Sequence, residues 1–191
     1  MAKLFFLGFL LLLFYGCIAE DTAGEEQMDN YNKFVNQQQV GQEKEETEKA
    51  LESALPLIST EYDDSVNYSL IYDEQFLAMF YLSKARLGIL ICQGCDESYR
   101  LGLDNTITAL WYESEGISHE ANYHIALQEN KNTTEERAQI LNWAVSSREK
   151  AVESYESLLS DYPEYAEDID ATHRLETINT RLGINKRQLE D

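Results

Sequence analysis

Apolar residues recur at intervals of three and four through most of the chain, with no sustained alternation of apolar and polar positions, so the pattern predicts helices. Over residues 48–59, Ala50, Leu51, Ala54, Leu55 and Ile58 form one stripe, and the polar stretch from Thr60 to Asp64 ends it. Residues 68–92 are the most apolar segment of this kind. There Phe76, Leu77, Met79, Phe80, Leu82, Leu87, Ile89, Leu90 and Ile91 surround most of the helix, which places it at the centre of the core. Lys84 and Arg86 argue against a membrane span. Gly94 marks its stop, and Asp96 is the expected N-cap of a helix through Tyr99, Leu103, Ile107, Leu110 and Trp111. Gly116 is expected to end that helix, with Ser118 opening a shorter one that reaches Gln128.

After a turn at residues 130–132, Thr133 and Glu136 stand at capping-box spacing. The helix they open is expected to run to Asp161, with Ile140, Leu141, Val145, Val152, Tyr155, Leu158 and Leu159 on one side and Pro163 as its stop. A last helix over residues 164–182 puts Ile169, Leu175, Ile178 and Leu182 inside, with Gly183 as its punctuation. The expected fold class is all-α, built from antiparallel helical hairpins.

The N-terminus follows a different pattern. Residues 4–15 are an unbroken apolar run behind Lys3, followed by Gly16 and Cys17, which is the order of a secretory signal. The run is shorter than the roughly 20 residues a durable transmembrane helix needs. Residues 1–16 are therefore expected to be a signal peptide. Gly16-Cys17 resembles a bacterial lipoprotein signal, with Phe14 where that pattern usually has Leu. The resemblance implies acylation of Cys17 and a lipid anchor to a membrane of the cell envelope. Cys17-Ile18-Ala19 offers the alternative of ordinary cleavage ahead of Glu20, leaving a secreted or periplasmic soluble protein. Residues 17–47, rich in Gln, Glu and Asn, are expected as an acidic flexible linker, 48–184 as the folded domain and 185–191 as a charged tail.

Charge narrows the function classes. The chain holds 15 basic and 35 acidic residues, a net charge of −20. Residues 1–16 contain one of the bases and no acid, so the exported part carries −21. Such a surface repels nucleic acid and anionic lipid headgroups, and a nucleic-acid partner is excluded.

Ala151, Tyr155, Leu158 and Pro163 have the spacing of a small residue, an aromatic, an aliphatic and a helix-ending proline. In this they resemble the second helix of a tetratricopeptide repeat, with a fainter copy at Ala50, Ala54 and Leu57. Ala138, Gln139 and Asn142 depart from the repeat's first-helix pattern. The resemblance implies degenerate, repeat-like units in a right-handed array or an irregular bundle, presenting a surface to another protein.

Candidate chemistry is sparse. Cys92 and Cys95 form a CxxC at a helix C-terminal stop, where an even pair in an oxidising compartment favours a disulfide over two free thiols, and a redox pair would need the first thiol at a helix N-terminus. His119 and His124 look like part of a zinc-protease motif, but five residues of separation put them about 140° apart on a helix. Combining them with Cys92 and Cys95 gives acceptable zinc ligands at unfavourable spacing, and no metal site is assigned. Asp161, Glu164, Glu167, Asp168 and Asp170 lack the glycine and spacing of a calcium loop. Asn67-Tyr68-Ser69 and Asn132-Thr133-Thr134 are glycosylation sequons in a eukaryotic host.

With no phosphate loop, nucleophile elbow or carboxylate pair around a recognisable cleft, neither enzyme activity nor a cofactor is expected. The expected function is that of a membrane-tethered helical binding or scaffold protein with a protein partner. The alternative is an envelope ligand-binding or transport-accessory protein with a cavity between its helices.

Overall fold

The structure, a computed structural model, describes residues 22–58 and 67–190, with side chains described from residue 32. Every element among them is helical: α1 (Thr22–Ala54), a 3-10 turn (Leu55–Leu57), α2 (Tyr68–Ile91), α3 (Glu97–Glu129), α4 (Thr134–Asp161), α5 (Pro163–Asp168) and α6 (Ala171–Glu190). The chain divides into two units, Met1–Gln39 and Val40–Asp191. In the first, residues 22–39 are helical, and the side chains of residues 32–39 are exposed.

The acidic segment read as a flexible linker is thus helical from Thr22 onward. Its Gln, Glu and Lys residues lose little rotamer freedom in a helix and therefore favour one without a packed face. Pairs one turn apart assist, Glu45 with Lys49 and Gln42 with Glu46.

In the second unit the core forms around α3, which packs against α2 on one side and α4 on the other, while α4 also meets α5 and α6. Leu82, Ile107, Leu110, Leu141, Tyr155 and Leu158 are among its largest fully buried side chains. The last turns of α1 join through Thr47, Ala50 and Ala54, all buried. Thr47 lies so close to Gly88 of α2 that a β-carbon there would overlap its hydroxyl.

Local chemistry sets several helix ends. The Asp96 side chain accepts the Tyr99 amide at 2.8 Å to cap α3. Thr133 and Glu136 form the reciprocal capping box of α4, at 3.2 and 2.8 Å. Asn130, in the left-handed region at φ 50°, closes α3. Pro163 occupies the first turn of α5, where its missing amide costs nothing.

Tertiary packing overrules other expectations. α3 runs through Gly116 without a break, so the two predicted helices are one of 33 residues. Gly116 serves close approach there, because its neighbours across the interface are Arg148 and the Ala144 carbonyl of α4. The predicted last helix is instead two, separated at Ile169 and Asp170, whose φ is 52°. Gly183 does not end α6, which continues to Glu190, and buried Asn185 holds the supposed tail against the core.

α2 departs furthest from its sequence pattern. It is not central: Leu77 is 45 % exposed and Leu90 66 %. The helix buries Ile71, Gln75, Ala78, Leu82, Ala85 and Ile89 and turns a second apolar face outward.

Candidate functional site

Along α3 the buried stripe of Leu103, Ile107, Leu110, Ile117 and Ala121 is interrupted by two carboxylates, Glu113 and Glu120. They are seven residues apart, about two turns, and so project from the same face. Both are closed off from water, Glu113 at 1 % exposure and Glu120 at 3 %. A carboxylate so placed persists only if paired and hydrogen-bonded.

Glu113 accepts the Tyr155 hydroxyl and the Arg174 guanidinium, the latter at 3.1 and 3.2 Å. Arg174 also donates to the carbonyls of Ile58 at 3.1 Å and Ile169 at 3.0 Å. One guanidinium therefore ties α6 to α3, to the end of α5 and to the strand of chain after the 3-10 turn. Glu120 accepts Arg148 from α4 and the Asn185 amide from α6 at 3.0 Å, with Arg181 at 3.9 Å. Arg148 closes the ring by donating to the Asn185 side-chain oxygen. A third polar link joins α2 to α3: the Ser114 hydroxyl donates to the Gln75 side chain at 3.0 Å, and Gln75 donates to the Leu57 carbonyl at 2.7 Å.

Burial pushes the Glu113 carboxyl above its usual range, against the opposing pull of Arg174 and Tyr155. Burial also acts to raise Glu120, but Arg148, Asn185 and Arg181 outweigh it and hold that carboxyl below its usual range. Burial drives Tyr155 well above the ordinary phenol value, aided by Glu113. A phenol on a carboxylate beside a guanidinium has the ingredients of acid–base chemistry. Tyr155 is fully buried, however, and no substrate atom can reach it. Both clusters act as locks between helices.

The Cys92 and Cys95 sulfurs are bonded to each other across the turn from α2 to α3. His119 and His124 face different neighbours. His119 lies against Trp143 with ring centroids 5.7 Å apart, and His124 stacks on Tyr68 of α2 at 4.3 Å. Burial lowers both imidazoles below their ordinary value, with Glu115 and Glu120 respectively opposing it. Ala151, Tyr155 and Leu158 are fully buried on α4, and Pro163 follows the helix end. Asp161, Glu164, Glu167, Asp168 and Asp170 are exposed. The Asn67 side chain caps α2 by accepting the Ser69 and Leu70 amides at 3.1 and 3.3 Å. Cys17 lies outside the described residues. Among those described, no three His, Cys, Asp or Glu side chains converge as a metal site would require, and no helix is long and apolar enough to cross a membrane.

The surface feature that stands out is the outward face of α2. Leu70, Phe76, Leu77, Phe80, Leu87 and Leu90 are all exposed, Phe80 at 62 %. Single apolar residues on a surface are ordinary, whereas this many along one side of a 24-residue helix, interrupted by the exposed charges Asp73 and Lys84, form an unusually large apolar patch. The sequence pattern held its signal: a helix apolar on all sides has more apolar surface than one core contact uses.

The chain matches no family profile, no curated protein and no solved structure.

Proposed function

We propose that this protein is a helical adaptor of a bacterial cell envelope, tethered through acylated Cys17, that holds a protein on the outward face of α2. The observation that carries the reading is that face itself, with seven large apolar side chains exposed, Ile91 among them, on a helix whose opposite side packs on α3. The order of the apolar run, Gly16 and Cys17 supports the tether. The tetratricopeptide-like spacing on α4 supports the same class of function, since such helical units bind proteins on their faces. A ligand cavity between the helices has less in its favour, because α3, α4 and α6 meet over Glu113, Arg174, Glu120 and Arg148, which fill that interior.

A photo-reactive amino acid placed at Phe80 in the living cell tests this reading. It is expected to give a discrete protein adduct that the same residue at exposed Glu153 on α4 does not. Equal labelling at the two positions, or adducts to lipid alone, would discard the docking role of α2.

A further inference from the structure

The outward face of α2 has an order that its apolarity alone does not explain. Leu70, Asp73, Leu77, Phe80, Lys84 and Leu87 are all exposed and follow one another at alternating steps of three and four. This is the a/d spacing of a coiled-coil seam, which keeps one line of side chains toward a partner helix. Two of the six are charged, one of each sign. Among the described residues neither Asp73 nor Lys84 has an ion-pair partner, although nearby Arg86 pairs with Asp104 at 3.0 Å.

The seam is complementary to its own reverse. If a second α2 runs antiparallel to the first, with the two-fold axis between Ala78 and Met79, Leu70 meets Leu87, Asp73 meets Lys84 and Leu77 meets Phe80. Each layer then recurs once on the other side of the axis, as a closed two-fold interface demands. Each also pairs an a with a d position, as helices of opposite direction do. A parallel pair would set Asp73 against Asp73 and Lys84 against Lys84, so the two charges select the direction as well as the register. Phe76 and Leu90, exposed beside the seam, extend the apolar strip.

We infer that α2 pairs with α2 of a second copy of this chain in an antiparallel, two-fold dimer whose register is set by Asp73 and Lys84. This rests on α2 as a protein-docking face and names the occupant.

The test uses the full chain in its own cell, with the photo-reactive residue at Leu77. The expected product has twice the mass of the chain. Asp73→Lys places two like-charged pairs in the interface, and so does Lys84→Asp. Each is expected to lower the yield of that product by about tenfold, taking roughly half a power of ten for each reversed pair. Combining the two substitutions exchanges the charges and is expected to restore the yield. All three positions are on the surface, and unchanged thermal melting of the purified variants shows that each folds.

If the single and double variants cross-link alike, the seam register is wrong and the inference falls. An adduct to a different protein, insensitive to the charge exchange, overturns the dimer while leaving α2 as a docking face. Adducts to lipid alone overturn both.

Discussion

Gly116 lies where α3 packs closely against α4, and a β-carbon there would sit 2.8 Å from Arg148 Cγ. That atom belongs to the fixed stem of a side chain whose head is bound to Glu120 and Asn185, so it cannot swing aside. Gly116→Ala gains about 1 kcal/mol of helix propensity. The overpacking costs about 1–3 kcal/mol, so the variant is expected to melt below the parent protein. Gly41→Ala in α1 has nothing within 4 Å and is expected to melt at the same temperature or higher. Scanning calorimetry of the pair checks both, and a stabilised Gly116→Ala would show that the two helices stand further apart. From the sequence, Gly116 reads as a helix stop because glycine is a poor helix former. What overrides that is a side chain 32 residues further on, beyond the reach of any local pattern. Glu113 and Glu120 were hidden by the same distance: Arg174 and Asn185 lie 61 and 65 residues away. The one local sign was two acids standing within an otherwise apolar stripe.

At the scale of the element, α2 separates what periodicity can show from what it cannot. Its extent was legible, because the run of apolar residues over 68–92 and the stop at Gly94 match a helix of Tyr68–Ile91. Which side faces the core was not, because apolar residues lie all round and the stripe of Ile71, Ala78, Leu82 and Ala85 is the less bulky of the two. The small side chains are the buried ones, since they let α2 lie close against its neighbours, and the large ones are left outside. Leu82, fully buried, is therefore the costly position: Leu82→Ala should lower stability by about 2–5 kcal/mol. Leu77→Ala and Leu90→Ala, on the outer face, should change the stability of a dilute monomer by only about 0.5 kcal/mol. Urea unfolding at low protein concentration distinguishes these, and equal losses at Leu77 and Leu82 would return α2 to the core. The same contrast applies to the ends of α3, α4 and α6. The capped ends at Asp96 and Thr133 followed from local hydrogen bonding, whereas the stop expected at Gly183 did not survive the anchoring of Asn185.

For the whole molecule, charge decides how a membrane could hold it. Residues 17–191 carry −21, and at physiological salt such a surface is repelled from anionic headgroups within about 8 Å, so basic attraction would not hold it to a membrane. The outer face of α2 is apolar, but in the proposed dimer it is turned toward a second copy. The proposed route is covalent. An acylated Cys17 would contribute about 0.8 kcal/mol for each methylene buried, and more than one chain is needed for durable anchoring. Two copies joined through α2 would bring two such anchors to one particle, and their combined hold exceeds that of either alone. Mass spectrometry of the mature N-terminus is therefore expected to find a peptide beginning at acyl-modified Cys17. Cys17→Ser should abolish that peptide and release the protein from the membrane fraction. Its melting temperature should stay the same, because the buried locks of α3, α4 and α6 involve nothing before residue 58. An unmodified terminus at Glu20 would instead mean a released protein, and its dimer would then assemble free of any membrane.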